Sequence, residues 1–227
     1  MMMMMMIKKT ALLILLILVA RIAYSQDDDF GLWFGVDVNH EIIKNMDIEF
    51  SGALRTFNNS SQIEETFLEG GLQYNFKKYI SLSGSYRLTS RVEDDSKYYF
   101  RHKLFLALKA TIPSGNFLLS GRAMIQRTTK TYIEDEEDLS AYYYCRIKLR
   151  AEYDFPAFPL SPYAYYEPFI PIFSDSGFQI DRNRFCAGAE VKITVKSSIE
   201  VEYIIQRDYK KNISDENIIS LNYKINF

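Results

Sequence analysis

Alternation of apolar and polar residues constrains the fold of this chain more than any other feature. The last segment places Ile219, Leu221, Tyr223, Ile225 and Phe227 on one face and Ser220, Asn222, Lys224 and Asn226 on the other. The same two-residue period recurs in roughly eleven segments, as expected when successive side chains of a strand point to opposite faces. Helical spacing of apolar residues is not found in these segments. The sequence therefore predicts an all-β fold.

The first 25 residues have the composition of a cleaved export signal. Two lysines precede an apolar run at 11–20, and Ala23 and Ser25 supply small residues at the positions expected before a cleavage site. The run is shorter than the roughly 20 residues that a membrane-spanning helix requires. We expect residues 1–25 to be removed and residues 26–227 to form the exported protein.

A chain that is exported without a spanning helix can still cross a membrane. It then has to close a β-barrel, because every backbone amide needs a hydrogen-bond partner in lipid. Aromatic residues make up 15% of the chain, which suits the interfacial girdles of such barrels. Phe227 at the end of the last segment resembles the signal that the barrel-insertion machinery reads. We therefore predict a transmembrane outer-membrane antiparallel β-barrel of about 10–12 strands.

The predicted connections fall into two groups by length. Tight turns are expected at 44–45, 77–78, 113–116 and 196–198, and longer polar links at 58–62, 92–97, 133–140, 173–182 and 210–217. Short turns at one end and long loops at the other are typical of outer-membrane barrels, whereas a soluble secreted β protein, the alternative, has no reason to sort its loops.

The strand count presents a difficulty. Single-chain bacterial barrels have an even number of strands, and the segments counted here are odd in number. We expect either that the Pro-rich stretch at 156–171 hides a further crossing or that the first segment is split or partly lumenal.

The two cysteines are predicted to remain free. Alternation places Cys145 on the apolar face and Cys186 on the polar face, so the two thiols point away from each other and should not form a disulfide. The net charge of −2 gives no argument for a nucleic-acid partner.

The polar face would line the lumen if the apolar face meets lipid. Ten ionisable residues of that face are our candidates for a ligand-binding site or a lumen network. They are Arg55, Arg87, Arg101, Arg122, Arg146, Arg150, Arg184, Glu152, Glu167 and Glu190. One interpretation is an internal salt-bridge network that fills the barrel, since buried charges are tolerated only when paired. The other is a narrow pore or a site for a small anion, since guanidinium groups recognise carboxylate and phosphate.

Catalytic and metal chemistry have little support in the sequence. His40 and His102 are the only histidines, both are expected on the apolar face, and no serine lies at a suggestive offset. No metal-binding Cys/His spacing or glycine-rich phosphate loop is found. We expect no cofactor and no enzyme. The acidic runs at 93–95 and 134–138 are expected to be solvated loops, or else sites for divalent cations that bridge to lipopolysaccharide phosphates.

Several short motifs, taken in order, resemble a known family. They are Trp33, Arg55, Tyr86-Arg87, Arg101-His102, Arg122, Tyr144, Arg146, Pro162, Glu167, Arg182-Asn183-Arg184 and Gly188. Together they resemble the uncharacterised bacterial outer-membrane β-barrels grouped as domain of unknown function 2490, across the exported part of the chain. The resemblance implies an outer-membrane barrel with no established activity, and it supplies no catalytic residues.

The sequence thus predicts an outer-membrane β-barrel protein that is structural, or a narrow conduit with a charged and largely filled lumen. Its expected partners are outer-membrane lipids, lipopolysaccharide and the insertion machinery. The alternatives are a small-solute or anion channel and a lipid-modifying enzyme of the outer membrane.

Overall fold

The computed structural model describes residues 29–93, 95–132, 141–173, 178–209 and 214–227. The expected export signal at 1–25 and the acidic run at 134–138 lie outside these residues. Among the described residues, no helix has the length and hydropathy that a membrane crossing needs. Eleven strands form the fold: β1 (Asp29–Ile43), β2 (Met46–Phe57), β3 (Gln62–Lys77), β4 (Ile80–Val92), β5 (Tyr98–Ser114), β6 (Phe117–Lys130), β7 (Tyr142–Tyr153), β8 (Leu160–Ile172), β9 (Arg182–Lys192), β10 (Ser197–Asp208) and β11 (Ser214–Asn226).

The eleven strands close into one barrel, which confirms the predicted fold class and strand range. Each strand is antiparallel to its neighbours in sequence, and β1 pairs in parallel with β11 from Asp29↔Glu216 to Asn39↔Asn226. With an odd number of strands in such a meander, the first and last run in the same direction, so the closing seam has to be parallel. The two explanations expected for the odd count are wrong, because the Pro-rich stretch contributes the single strand β8 and the first segment is one continuous strand.

Side-chain hydrogen bonds reinforce the parallel seam from inside the barrel. One carboxylate oxygen of Asp37 accepts a hydrogen bond from the Ser51 hydroxyl at 2.6 Å, and the other accepts one from the Asn222 amide at 2.6 Å. Asp37 thereby connects β2, β1 and β11. Gly35 leaves the space that Asn222 occupies, since a Cβ at Gly35 would overlap the Asn222 side chain.

The two faces of the barrel are the ones that alternation predicts. Large apolar side chains on the outside are exposed, for example Leu149 at 57% and Leu68 at 73%. Charged and aromatic side chains fill the inside. Cys145 lies in the outward series and Cys186 is buried in the inward one, and both are free. The expectation of two unpaired cysteines agrees with this geometry.

The ends of the barrel differ, although less regularly than expected. Two-residue turns at 44–45, 78–79 and 115–116 share one end, with left-handed backbone at Asn45 (φ 67°) and Gly115 (φ 60°). The 154–159 connection at that same end is six residues long, whereas the 58–61 connection at the opposite end has only four. Sorting by length is therefore a tendency of the two ends and not a strict rule. We refer below to the short-turn end and the long-loop end.

Gly71 provides a test of packing between β3 and β4. A Cβ there would lie 2.7 Å from the Cβ of Ser85 and 3.0 Å from the carbonyl oxygen of Gly84, whereas a Cβ at Gly84 would meet only one atom, at 3.9 Å. We expect Gly71→Ala to lower the free energy of unfolding by about 1–3 kcal/mol, because an added methyl overpacks the wall. Gly84→Ala should change it by less than about 0.5 kcal/mol. Denaturant unfolding followed through the fluorescence of Trp33 measures both, and equal values for the two variants would contradict the packing argument.

Candidate functional site in the barrel lumen

Aromatic rings and guanidinium groups alternate around the inner wall. We call the following set the aromatic–arginine belt: Phe105, Arg87, Phe67, Arg55, Trp33, Arg184, Phe169 and Arg146. Each guanidinium carbon in it lies between 3.7 and 5.1 Å from the centroid of a neighbouring ring. Eight strands contribute to the belt, and β10 and β11 supply Ile204 and Ile218, which are 1% and 0% exposed, between Trp33 and Arg184. Contacts of this kind, removed from water, stabilise the cations without consuming hydrogen-bond donors.

Glu65 anchors the belt on the β2–β5 side. It is 2% exposed, and its Oε1 accepts a hydrogen bond from Arg55 Nη1 at 2.5 Å. Its Oε2 lies 3.5 Å from Lys103 Nζ and 3.9 Å from Arg91 Nη1. Arg91 also pairs with Glu64 at 2.7 Å. A carboxylate so deeply buried is tolerable only because several cations surround it.

Glu167 has the same role on the opposite wall. It is 2% exposed, and its Oε1 accepts hydrogen bonds from Arg122 at 2.9 Å and Arg146 at 3.0 Å. Arg146 also donates to the side-chain oxygen of Gln126 at 3.2 Å and lies over the ring of Phe169 at 4.3 Å. Glu167 therefore joins β6, β7 and β8 in one buried cluster.

A third cluster lies toward the short-turn end around Arg150. Its guanidinium pairs with Glu152 at 2.7 Å and with Glu200 at 3.3 Å, and it stacks on Tyr163 at 3.5 Å. Lys224 of β11 also reaches Glu200, at 2.8 Å. This cluster crosses from β7 to β10 and β11, so it ties walls that are not adjacent in the sheet.

The other predicted arginines also point inward but have separate partners. Arg87 pairs with Glu69 at 2.5 Å. Arg101 pairs with Glu93 near the long-loop end. Arg184 has no carboxylate within 4.0 Å among the described residues; its Nε donates to Gln206 at 2.7 Å. The ten predicted residues thus share the lumen without converging on one point.

The charge pairing is incomplete in the short-turn half of the lumen. Glu190 only approaches Lys224, at 4.0 Å. Lys148 lies over the ring of Tyr165 at 3.5 Å, and neither it nor Lys109 has a carboxylate within 4.0 Å in the described part of the chain. A cavity of about 280 Å³ opens at this end, with Asp47, Glu49 and His40 in its lining. The long-loop half therefore contains the buried Glu65 and Glu167 clusters, and the short-turn half contains the cavity.

Sequence reasoning missed several residues of the site. Glu65 and Phe67 precede Glu69 on the same face of β3, and two further steps of the alternation would have found both. Phe105 and Phe169 face inward, although the sequence analysis expects apolar side chains on the outer face. Their position in the two-residue alternation predicts this direction correctly, whereas their apolar character does not. Alternation also places Gln206 on the inner face of β10, although nothing in the sequence pairs it with Arg184.

The two histidines contact aromatic residues rather than the clusters described above. In the described residues, no group of three or more His, Cys, Asp or Glu side chains is placed to hold a metal ion. His102 faces outward, where its Nδ1 lies 2.5 Å from the hydroxyl of Tyr86, and the ring of His40 contacts Phe227 edge-on. Neither histidine belongs to the three lumen clusters, although His40 lines the cavity at the short-turn end.

Comparisons with other proteins identify a family and one similar fold. The model of the family described as "Protein of unknown function (DUF2490)" matches residues 30–217. One of 17 matching solved chains is the beta domain of the Bordetella autotransporter Brka, with 12% sequence identity, coverage of 77% of this chain and 81% of that chain, and a TM-score of 0.46. No curated protein sequence matches this chain.

Glu167 provides the test of the buried clusters. Glu167→Gln leaves Arg122 and Arg146 without their shared carboxylate, and we expect the free energy of unfolding to fall by about 3–5 kcal/mol. Glu190→Gln, whose contact with Lys224 is long and partly exposed, should cost less than about 1 kcal/mol. Denaturant titration of both variants in the same detergent measures the difference. If both variants lost the same free energy of unfolding, the burial of Glu167 would not explain the strength of its pairing.

Proposed function

This chain belongs to the DUF2490 family of proteins of unknown function, and from that premise we propose that it is an outer-membrane β-barrel protein with a closed lumen. In this proposal the barrel is a structural element of the membrane. The buried clusters and the aromatic–arginine belt close it in place of a separate plug domain.

The exposed outer surface supports placement in a membrane. Outward-facing Leu68, Ile112 and Leu149 are 73%, 64% and 57% exposed, and similar side chains surround the barrel. Soluble proteins rarely expose continuous apolar patches beyond a few hundred Å². A closed barrel also satisfies its backbone hydrogen bonds internally, as a lipid environment requires.

Burial of Glu65 and Glu167 is the observation that carries the closed lumen. Each is 2% exposed in the interior of a barrel that has more strands than the about eight that side chains fill easily. A water-filled channel passing these carboxylates would leave them hydrated. Their burial instead follows from arginine and aromatic side chains, which are long enough to meet across the wider interior.

A narrow conduit for small anions is the second candidate. Lys109 and Lys148 favour it, since neither has a carboxylate within 4.0 Å among the described residues, and cationic side chains lining a lumen attract anions. A conduit of this kind would need the belt to move before anything passes.

The proposal includes no catalytic activity. Its expected partners are outer-membrane lipids and lipopolysaccharide around the outer face, together with the insertion machinery during assembly. A nucleic acid is not among them.

Conductance across a planar lipid bilayer tests the closed lumen. We expect the unaltered protein to give no steady current, because the belt fills the interior. Trp33→Ala combined with Arg184→Ala removes two adjacent members of the belt, and we expect discrete current steps from that variant. Leu149→Ala, on the outer face, is the matched control and should stay silent.

Other outcomes of this measurement decide between the candidates. Steady, anion-selective current from the unaltered protein would overturn the closed lumen in favour of the narrow conduit. Silence of the double variant, with folding verified by heat-dependent gel migration, would show that the belt is not the barrier.

Leu149→Arg tests which face meets lipid. Leu149 lies near the middle of the outer part of β7, between Tyr143 and Tyr153. An arginine at the bilayer midplane of a barrel costs about 2–4 kcal/mol, against about 0–1 near an interface. We therefore expect Leu149→Arg to destabilise the barrel in vesicles, and Ile112→Arg, close to the short-turn end, to have little effect. If the barrel were soluble, both substitutions would be neutral and the purified protein would remain dissolved in buffer without detergent.

A further inference from the structure

Arg127 is an outward-facing, exposed arginine that has no acidic partner among the described residues. Its Nε donates to the hydroxyl of Tyr143 at 3.3 Å, and within the described ranges no carboxylate lies within 4.0 Å of its guanidinium. Arg207, which also faces outward, differs: it donates to both carboxylate oxygens of Asp215, at 2.7 and 2.5 Å. Two outward arginines of one barrel thus differ in whether a carboxylate of the described residues pairs with them.

The position of Arg127 along β6 places it at the edge of the apolar band. Phe117, at the short-turn end, packs edge-on against Tyr153 with centroids 4.9 Å apart and marks the lower aromatic girdle. Arg127 follows ten positions later in the same strand. At about 3.3 Å per residue and a tilt of about 35–45°, this separation is roughly 25 Å along the barrel axis, which equals the usual height of the apolar band. Arg127 therefore lies at the upper boundary, on the long-loop side.

Neighbouring aromatic residues are consistent with this boundary. Tyr143 accepts the hydrogen bond from Arg127 and packs edge-on against Phe173, with centroids 5.6 Å apart. Phe173 is 87% exposed. Exposed rings with a polar contact at the same level are typical of the aromatic girdle at a membrane interface.

His102 adds a second donor on the same outer face. β5 and β6 pair with Leu104 opposite Arg127 and His102 opposite Thr129, so His102 and Arg127 are diagonal neighbours within reach of long side chains. Nδ1 of His102 is occupied by the Tyr86 hydroxyl at 2.5 Å. Its Nε2 has no hydrogen-bond partner among the described residues. Directly below Arg127 on the outer face, Ile125 is exposed and apolar.

We propose that Arg127, with His102 beside it, binds the phosphate of a glycolipid in the outer leaflet, whose acyl chains lie against the apolar wall below. The inference rests on the proposed membrane placement. An arginine at this interface can reach the headgroup layer, and the planar guanidinium matches phosphate with two parallel hydrogen bonds. Lipid headgroup phosphates lie at this depth on the long-loop side, and no carboxylate of the described residues reaches Arg127.

Native mass spectrometry of the detergent-purified protein tests this site. The probes are bisphosphorylated lipid A, its dephosphorylated analogue and inorganic phosphate. We expect one lipid A per barrel, bound about tenfold more weakly after Arg127→Gln, because a hydrogen-bonded charge pair is lost. Arg127→Lys, which keeps the charge without the fork, should fall between. The dephosphorylated analogue should bind weakly to every form.

Arg207→Gln is the matched control, since it removes an outward arginine that already has its carboxylate. Equal weakening by Arg207→Gln and Arg127→Gln, or full competition by inorganic phosphate at the lipid concentration, would overturn the lipid site. These outcomes are separate from failure of the proposed function, because a barrel that does not enter membranes would appear in the soluble fraction before any lipid is added.

Discussion

Closure of the sheet is the constraint on which every other property of this barrel depends. With eleven strands, closure requires a parallel seam between β1 and β11, and Asp37 holds that seam by accepting from Ser51 on one side and Asn222 on the other. Once the sheet is closed, each side chain of a strand points either to the inner face or to the outer face. The separation of ionic from apolar side chains follows directly from it.

The side chains of the inner face both fill the lumen and neutralise one another's charges. A barrel wider than eight strands needs long side chains to fill it, and arginines bring charge into a space with little water. Glu65 and Glu167 offset that charge at two points. The rings of Phe67 and Phe169 cover the planar faces of the Arg87 and Arg146 guanidinium groups, which also pair with carboxylates. Removal of one partner should therefore disturb several others, as expected for coupled groups. On the outer face, Arg207 pairs with Asp215, whereas Arg127 has no carboxylate within 4.0 Å among the described residues.

Most of the wall could be predicted from the sequence, whereas its contacts could not. Alternation placed Arg122, Arg146 and Glu167 on the inner face because side-chain direction in a strand is a local property of the backbone. Residue type was the poorer guide: it assigned apolar side chains to lipid, and Phe67 and Phe105 point inward. Both explanations predicted for the odd strand count were wrong, because a parallel pairing between the first and last strands leaves no local pattern in either sequence.

The sequence by itself determined the class of fold, the direction of nearly every side chain and the ends of most strands, because a two-residue period and turn-forming residues act over a few positions. Only the tertiary structure decided which side chains meet. Asp37 and Asn222 are 185 positions apart, and Arg122 and Glu167 are 45 apart. Such contacts depend on strand register, on the number of strands and on the closing seam. These are properties of the whole sheet, and no single segment encodes them.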